Sequence, residues 1–327
     1  MIISQTPLRM SFVGGGSDFP EFYRRYGGAV VSTTIDKFIY IAVNRKFDSA
    51  IRVSYSKTEE VDHVDQVAHV LVRESLRMLG IPGGVEITSI ADIPSRGTGL
   101  GSSSAFTVGL LHALHGYRRE YISREDLAAE SSRVEIELCG ERIGKQDQYA
   151  AAFGGLNFIR FDPDDTVTVY PIICPRATTE QLERSLLLFY TGITRATGSV
   201  TAAQSEVLAM NPEKQKLVQR MASLAHQMRD ELQQGRLDGF GEVLHENWML
   251  KKELTHGISN GQVDQWYEQA RHAGASGGKL LGAGAGGFLL FYAPPERHPA
   301  IEAALRSLRR IDFRLEPRGS RITLYQP

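Results

Sequence analysis

The amino-acid sequence predicts an α+β protein made of two domains. Its 327 residues are about twice the usual length of one domain, which is roughly 150 residues. Segments rich in β-branched and aromatic residues dominate the first third, whereas stretches with helical apolar spacing prevail after residue 200. No repeat or flexible linker separates the halves. We therefore place the N-terminal domain at residues 1–182, the C-terminal domain at 183–327, and expect a ligand cleft between them.

The first half combines strands with a few helices. Strands are predicted at 29–35, 38–44, 51–55 and 85–90, and a hairpin at 156–161 and 166–172. Helices are predicted at 61–79, at 104–115 and from the capping box at 123–126 to about residue 139.

Helices dominate the second half. A strand at 186–190 is followed by helical segments at 200–209, 213–234, 236–254 and 261–273. A strand at 288–293, a helix at 296–309 and short strands near 311–315 and 321–325 complete the pattern.

Composition excludes several classes of protein. Hydrophobic residues make up 42% and charged residues 23%, which is the balance of a globular protein. Because the net charge is −1, nothing favours nucleic acid or an anionic membrane as a partner. The longest apolar runs reach five or six residues, whereas a membrane span needs about 18. With no secretory pattern at the start, we expect a cytoplasmic protein, and its oligomeric state stays open.

The two cysteines, Cys139 and Cys174, do not form a recognisable metal motif. They lack CxxC spacing and are expected to be free thiols, with a single disulfide bridge as the alternative.

Glycine is over-represented, with 32 copies, and 13 of them cluster at 14–16, 97–101 and 274–287. The middle cluster lies between a predicted strand and a predicted helix and predicts a phosphate-binding loop. Glycines let backbone amides approach an anion, and the helix N-terminus adds free N–H groups. The loop lacks the Gly-Lys-Ser/Thr of a Walker motif. Its alternative is a tight turn with a serine N-cap, but a cap needs one serine and three follow: Ser102, Ser103 and Ser104.

The third cluster imitates a dinucleotide-binding motif. Residues 282–287 match G-x-G-x-x-G, which should follow a strand and open a helix. Here a predicted helix precedes the motif and a predicted strand follows it. We interpret the segment around Gly284 as a loop that approaches a charged ligand from the second domain, with a flexible turn as the alternative.

Two further segments place charged residues beside glycines. Arg9 stands at the start of an apolar strand and Asp18 follows the first cluster, although a surface arginine and a turn-stabilising aspartate would look the same. Asp147 could be the base for a substrate hydroxyl or a helix N-cap. Glu135 could bind magnesium, which needs only one or two carboxylates when phosphate oxygens complete its shell.

Taken in order, the segments 7–18, 94–105, 135–149 and 279–288 resemble the GHMP small-molecule kinases, a family that includes galactokinase and the homoserine, mevalonate and phosphomevalonate kinases. The resemblance runs from the N-terminus to about residue 290. It implies an N-terminal domain like the second domain of ribosomal protein S5 and a ferredoxin-like C-terminal domain. It also implies ATP and Mg²⁺ in the cleft.

The resemblance implies roles for individual residues. Asp147 matches the catalytic aspartate and Arg9 the basic residue that assists it, while Ser103 and Glu135 match the magnesium ligands. The implied ATP-binding residues are Pro94, Arg96, Gly97, Gly99, Leu100, Gly101, Ser102, Ser103 and Ser104. The implied substrate-binding residues are Gly15, Gly16, Ser17, Asp18, Arg195 and Gly284.

The segments 7–20, 144–149 and 190–195 are most similar to family members that phosphorylate D-glycero-D-manno-heptose 7-phosphate at its anomeric hydroxyl, a step towards GDP-heptose and surface polysaccharides. Galactose is disfavoured, because residues 14–18 read Gly-Gly-Gly-Ser-Asp where galactokinases carry Gly-Glu-His-Thr-Asp. Arg195 is the candidate for the substrate phosphate, with a surface arginine as the alternative. An L-fucokinase-like or other sugar 1-kinase and a non-catalytic sugar sensor are the alternative functions.

Overall fold

A computed structural model describes residues 1–93, 99–193, 198–284 and 286–327. Of the predicted site residues, Pro94, Arg96, Gly97 and Arg195 lie outside these ranges. Within them, eight strands form one sheet and four strands form a second. The predicted α+β fold with two packed halves is confirmed.

The first sheet is built around a long antiparallel pair. β1 (Ile2–Val13) pairs along its length with β2 (Gly28–Arg45), which joins the two strands predicted at 29–35 and 38–44. The following strands are β3 (Ile51–Ser54), β4 (Thr58–Val61), β5 (Val85–Ala91), β6 (Asn157–Phe161) and β7 (Val167–Pro171). They extend the sheet in the order β1-β2-β5-β3-β4, while the predicted hairpin β6–β7 pairs with the start of β2.

One helix positions the centre of this half. The helices are α1 (Pro20–Tyr26), α2 (Val70–Met78), α3 (Ser102–Arg118), α4 (Arg124–Ser132) and α5 (Gln146–Phe153). α3 packs closely on β1 because Gly109 has no side chain; a Cβ there would lie 2.8 Å from Thr6 Oγ1. As a result, the backbone N–H of Arg9 donates to the carbonyl of Leu100 at 3.0 Å, just before α3 begins.

The predicted helix at 61–79 is wrong in its first half. Residues Val64–Gln66 form a 3-10 turn with a capping box between His63 and Gln66, and α2 begins only at Val70. The Glu59 carboxylate accepts hydrogen bonds from the backbone N–H groups of Ala68 and His69, just before the helix. These contacts hold residues 68 and 69 outside the helix. Apolar spacing alone does not reveal such polar contacts.

The second sheet consists of β8 (Leu186–Tyr190), β9 (Gly277–Leu280), β10 (Phe288–Tyr292) and β11 (Arg309–Arg310), in the order β11-β8-β10-β9. Its helices are α6 (Arg176–Ser185), α7 (Gly198–Met210), α8 (Pro212–Gln233), α9 (Phe240–Lys252), α10 (Gly261–His272) and α11 (His298–Ala304). Trp248, Tyr267 and Phe291 are fully buried among them. In the described ranges, no helix is long and apolar enough to cross a membrane.

The end of the chain departs from the predicted elements and returns to the first sheet. The helix predicted at 296–309 ends at Ala304, and the strand predicted at 311–315 is reduced to an isolated bridge between Ile35 and Leu315. The predicted last strand, β12 (Arg321–Tyr325), pairs with β1. The division at residues 182 and 183 stays a prediction. One apolar core contains residues of both halves, and a second core is formed mostly by the C-terminal half.

Candidate active site

A cleft of about 940 Å³ opens where the glycine clusters meet. Its walls come from β1 and the loop after it, the N-termini of α3 and α5, α9 and the loop between β9 and β10. The predicted site residues that line it are Arg9, Gly15, Gly16, Asp18, Gly99, Gly101, Ser102, Ser103, Ser104, Glu135 and Asp147.

Three predicted binding residues lie behind the cleft wall, contrary to expectation. Leu100 is fully buried in the apolar core. The Ser17 hydroxyl donates to the carbonyl of Gly14 at 2.7 Å and so closes the loop after β1. Gly284 packs on the backbone of Ile258, where a Cβ would come within 2.7 Å of the Ile258 Cα. These residues shape the loops and do not form the surface of the cleft.

The structure brings Arg9 and Asp147 together in a bidentate ion pair. Arg9 donates from Nε to Asp147 Oδ1 at 2.7 Å and from Nη2 to Oδ2 at 2.5 Å. Its third nitrogen, Nη1, donates to the carbonyl of Gly99 at 2.7 Å. Asp147 lies in the first turn of α5, where the helix dipole stabilises a carboxylate. Arg9 is 5% exposed and Asp147 24% exposed, so the carboxylate is the more exposed partner of the pair.

Asp18 holds the start of α5 against the loop after β1. Its carboxylate accepts hydrogen bonds from the backbone N–H groups of Gly16 at 2.9 Å and Gln146 at 3.3 Å. Gly144 leaves room for this contact, since a Cβ there would lie 1.9 Å from Asp18 Oδ2. Burial raises the pKa of Asp18, and the nearby Asp147 carboxylate adds to the rise.

Glu135 lies under the N-terminus of α3 and is 1% exposed. It belongs to a π-helical turn at Arg133–Leu138, a local widening that often marks functional sites. Ser103 Oγ donates to Glu135 Oε1 at 2.9 Å, and the Gln148 amide donates to the other oxygen. Burial raises the pKa of Glu135 to about 7, although hydrogen bonds from serine and glutamine side chains oppose the rise.

These two residues fit a magnesium ion that is shared with phosphate. Across the described ranges, no group of three or more His, Cys, Asp and Glu side chains could hold a metal ion by itself. The Ser103 hydroxyl and Glu135 carboxylate are nevertheless hard oxygen donors that already touch. Mg²⁺ is commonly held by one or two carboxylates together with substrate phosphates and water, so a sparse donor set suffices.

The second and third glycine clusters touch through their backbones. A Cβ on Gly99 would lie 2.3 Å from the carbonyl oxygen of Leu281, and a Cβ on Gly282 would lie 2.3 Å from the Gly99 Cα. The glycine segment is followed by the strand β10, as predicted, whereas a dinucleotide motif would open a helix. The glycines therefore allow two loops to meet at the cleft.

Sequence reasoning missed two buried lysines in the cleft wall. Lys251 donates to the carbonyl of Gly282, and Lys279 donates to the carbonyls of Ser11 and Phe12 at 2.7 and 2.8 Å. Burial lowers the pKa of Lys251 to about 8 and that of Lys279 well below its ordinary value. Lys279 stands directly before two leucines in a predominantly apolar segment, and this position could have indicated its burial. Lys251 looks like an ordinary basic residue at a helix end.

The far end of the cleft is aromatic, which the sequence reading also missed. His69 stacks on Phe106 with ring centroids 5.0 Å apart, and Tyr55 meets His69 edge-on at 4.7 Å. Leu71 and Ile90 complete this apolar end. The cleft thus joins an aromatic end to a charged end at Arg9 and Asp147.

Comparison with known proteins identifies two domains of one family. Residues 62–155 match the model of the GHMP kinases N terminal domain, and residues 228–311 match the GHMP kinases C terminal model. Together the two stretches cover more than half of the chain.

Full-length relatives agree with this assignment. The chain is 29% identical to D-glycero-alpha-D-manno-heptose 7-phosphate kinase of Campylobacter jejuni over 93% of both proteins. It is 27% identical to the bifunctional fucokinase/GDP-fucose pyrophosphorylase of Arabidopsis thaliana, over 88% of this chain and 29% of that protein. A crystal structure described as D-glycero-D-manno-heptose 1-phosphate kinase from Bacteroides thetaiotaomicron superposes over the whole of both chains with a TM-score of 0.80 and 25% identity. The chain therefore belongs to the GHMP kinase family and is a kinase.

Proposed function

We propose that this chain is a sugar kinase that transfers phosphate from ATP to the anomeric hydroxyl of D-glycero-D-manno-heptose 7-phosphate. The product would be the 1,7-bisphosphate, an intermediate suited to the synthesis of GDP-heptose for surface polysaccharides. One observation carries the proposal: the Asp147 carboxylate, fixed by Arg9, lines the same cleft as the N-terminus of α3. The similarity to the Campylobacter heptose phosphate kinase over 93% of the chain supports the choice of sugar.

The start of α3 supports ATP phosphates at this end of the cleft. Gly101 adopts a left-handed conformation with φ +71°, and the 17-residue helix begins at Ser102. The first N–H groups of a helix have no partner within it and carry the positive end of its dipole, which suits phosphate. Ser102, Ser103 and Ser104 add hydroxyl groups beside these amides.

The aromatic end supports the nucleoside of ATP. Phe106 and Tyr55 offer flat apolar surfaces that favour stacking with a base. Both side chains line the same cleft as the start of α3, so one extended nucleotide can contact both.

The geometry suggests a direct transfer. The anomeric hydroxyl gives its proton to the Asp147 carboxylate while its oxygen bonds to the γ-phosphorus. The bond between the γ-phosphorus and the β–γ bridging oxygen breaks, and ADP leaves. Arg9 holds the Asp147 carboxylate in position through two hydrogen bonds. Such reactions depend mainly on positioning and electrostatic stabilisation, which these fixed side chains supply.

Ser103 and Glu135 would hold Mg²⁺ together with phosphate oxygens, and the ion would neutralise charge on the phosphates. Replacing the Ser103 hydroxyl (Ser103→Ala) is therefore expected to raise the Mg²⁺ concentration for half-maximal activity by about 10-fold or more. Ser123→Ala is the matched control, because Ser123 caps α4 through its hydroxyl and does not line the cleft. It should lower stability by about 1 kcal/mol without moving the Mg²⁺ titration. An unmoved titration in Ser103→Ala would exclude this ligand.

The choice of acceptor is tested by measuring ADP release with a panel of sugars. We expect heptose 7-phosphate to exceed free heptose, L-fucose and galactose by at least about 100-fold in kcat/KM, since a missing phosphate leaves its binding groups unpaired. Equal or greater activity with L-fucose would favour the fucokinase-like alternative. The similarity to the bifunctional fucokinase/GDP-fucose pyrophosphorylase of Arabidopsis supports that alternative. Sugar binding without ADP release would instead indicate a sensor.

A further inference from the structure

Lys251 is a buried cation in the wall of the cleft that the proposed transfer does not yet use. It lies on the last turn of α9 and is 6% exposed, and it lines the cleft. Its ammonium group donates to the carbonyl of Gly282. An ammonium group has three N–H donors. Among the residues that the structure describes, Lys251 uses one of them, so two remain available for a ligand.

Lys251 and Arg9 hold the two glycine loops in a similar way. Arg9 donates to the carbonyl of Gly99, and Lys251 donates to the carbonyl of Gly282. Because Gly99 and Gly282 are in backbone contact, the two cations are anchored to adjacent points. Lys251 therefore lies at the reacting end of the cleft, beside the loop that leads into α3.

The charge balance at this end favours an anion. Lys251 interacts electrostatically with Arg9, Asp18 and Asp147, and Lys279 interacts with Lys251 and Arg9. Burial shifts Lys279 towards its neutral form, and two backbone carbonyls accept its hydrogen bonds. Arg9 and Lys251 therefore remain as the cations beside two carboxylates, one of which, Asp18, is itself shifted towards its neutral form by burial. Buried charges require partners, so a negatively charged ligand group would complete this cluster.

We propose that Lys251 binds the phosphoryl group that is transferred, and so acts as a further catalytic residue beside Arg9. The proposal rests on the proposed function, since it requires ATP in the cleft. Its position favours the γ-phosphoryl group over a phosphate at the far end of a sugar, because Lys251 is anchored to Gly282, which touches Gly99 beside Arg9. The planar guanidinium of Arg9 already fixes Asp147, which leaves the Lys251 ammonium group as a point charge for the transferred phosphoryl group.

The test compares the binding of a non-hydrolysable ATP analogue with that of ADP, by calorimetry at pH 7 with Mg²⁺. Lys251→Met should weaken binding of the ATP analogue by about 10- to 100-fold and change ADP binding by less than about threefold. With sugar present, kcat should fall by about 10²- to 10³-fold. Lys252→Met is the matched control, because Lys252 pairs with Asp264 and does not line the cleft. It should leave both nucleotide affinities unchanged.

A second measurement needs no loss of the side chain. Because burial lowers the pKa of Lys251 to about 8, the ammonium group is charged below that pH and loses its proton above it. The preference of the wild-type protein for the ATP analogue over ADP should therefore decline as the pH rises through about 8. Lys251→Arg should keep the preference at high pH, since a guanidinium stays charged.

The outcomes separate this proposal from its rivals. If Lys251→Met weakens the binding of both nucleotides equally and lowers Tm, Lys251 only holds the Gly282 loop in place. If the nucleotide preference is unchanged and the KM for the sugar rises, Lys251 binds the sugar. Either result overturns the proposal. If Lys251→Met does not fold, Lys251→Gln keeps a donor for Gly282 without the charge, and the same comparison decides. Should the wild type bind nucleotide but fail on every sugar in the panel, the choice of acceptor fails while the assignment of Lys251 stands.

Discussion

Replacing Asp147 by asparagine should lower kcat by about 10²- to 10⁴-fold, the usual cost of losing a general base. An amide cannot take the proton of the acceptor hydroxyl. It also offers one acceptor oxygen where the carboxylate offers two, so one of the two hydrogen bonds from Arg9 is lost. ATP binding should persist, because the proposed phosphate site at the start of α3 is untouched.

The control is the same substitution in the first turn of another helix. Asp126 occupies that place in α4, is exposed and lies outside the cleft. Asp126→Asn should leave kcat unchanged, and measuring ATP affinity by calorimetry alongside kcat separates loss of chemistry from loss of binding. Near-normal turnover in Asp147→Asn would remove Asp147 as the base.

Local patterns predicted only part of the candidate site. A glycine-rich turn before a helix predicts an anion site, and the serines after Gly101 do begin α3. Arg9 and Asp147 stand 138 positions apart in sequence, and only the family resemblance paired them. Their bidentate contact depends on the close packing of α3 and α5 around β1, which no local pattern encodes.

The lysines escaped prediction for a different physical reason. A lysine is ordinarily exposed, so residue type and helical position gave no reason to expect Lys251 or Lys279 in a buried wall. Their burial becomes possible only because backbone carbonyls of other elements accept their hydrogen bonds. Likewise Ser17 directly follows the first glycine cluster and Gly284 belongs to the third, yet neither lines the cleft. Whether a residue in or beside a glycine cluster faces the cleft depends on the local direction of the backbone, which the glycine pattern does not specify.

The contact between the glycine loops leads to the second large expected effect. Gly282→Ala should lower kcat by about 10²-fold, the cost of misplacing reacting groups by about 1 Å. The added Cβ would meet the Gly99 Cα at 2.3 Å, and backbone atoms cannot rotate away as a side chain can. The Gly99 carbonyl accepts from Arg9 and the Gly282 carbonyl accepts from Lys251. Separating the loops therefore shifts both cations and, through Arg9, the Asp147 carboxylate.

Gly257 provides the control that isolates this contact from backbone strain. Gly257 and Gly282 both have positive φ, +87° and +78°, so alanine at either position carries a conformational cost of about 1–2 kcal/mol. A Cβ on Gly257 meets nothing within 4 Å. Gly257→Ala should thus lower Tm and leave kcat unchanged. Gly282→Ala should lower both Tm and kcat, because the clash adds about 1–3 kcal/mol of destabilisation.

Gly99→Ala tests the same contact from the other loop. Its Cβ would lie 2.3 Å from the Leu281 carbonyl oxygen, so this variant should show the same loss of turnover. If Gly282→Ala and Gly257→Ala lose turnover equally, strain rather than loop contact explains the effect, and the two clusters act independently.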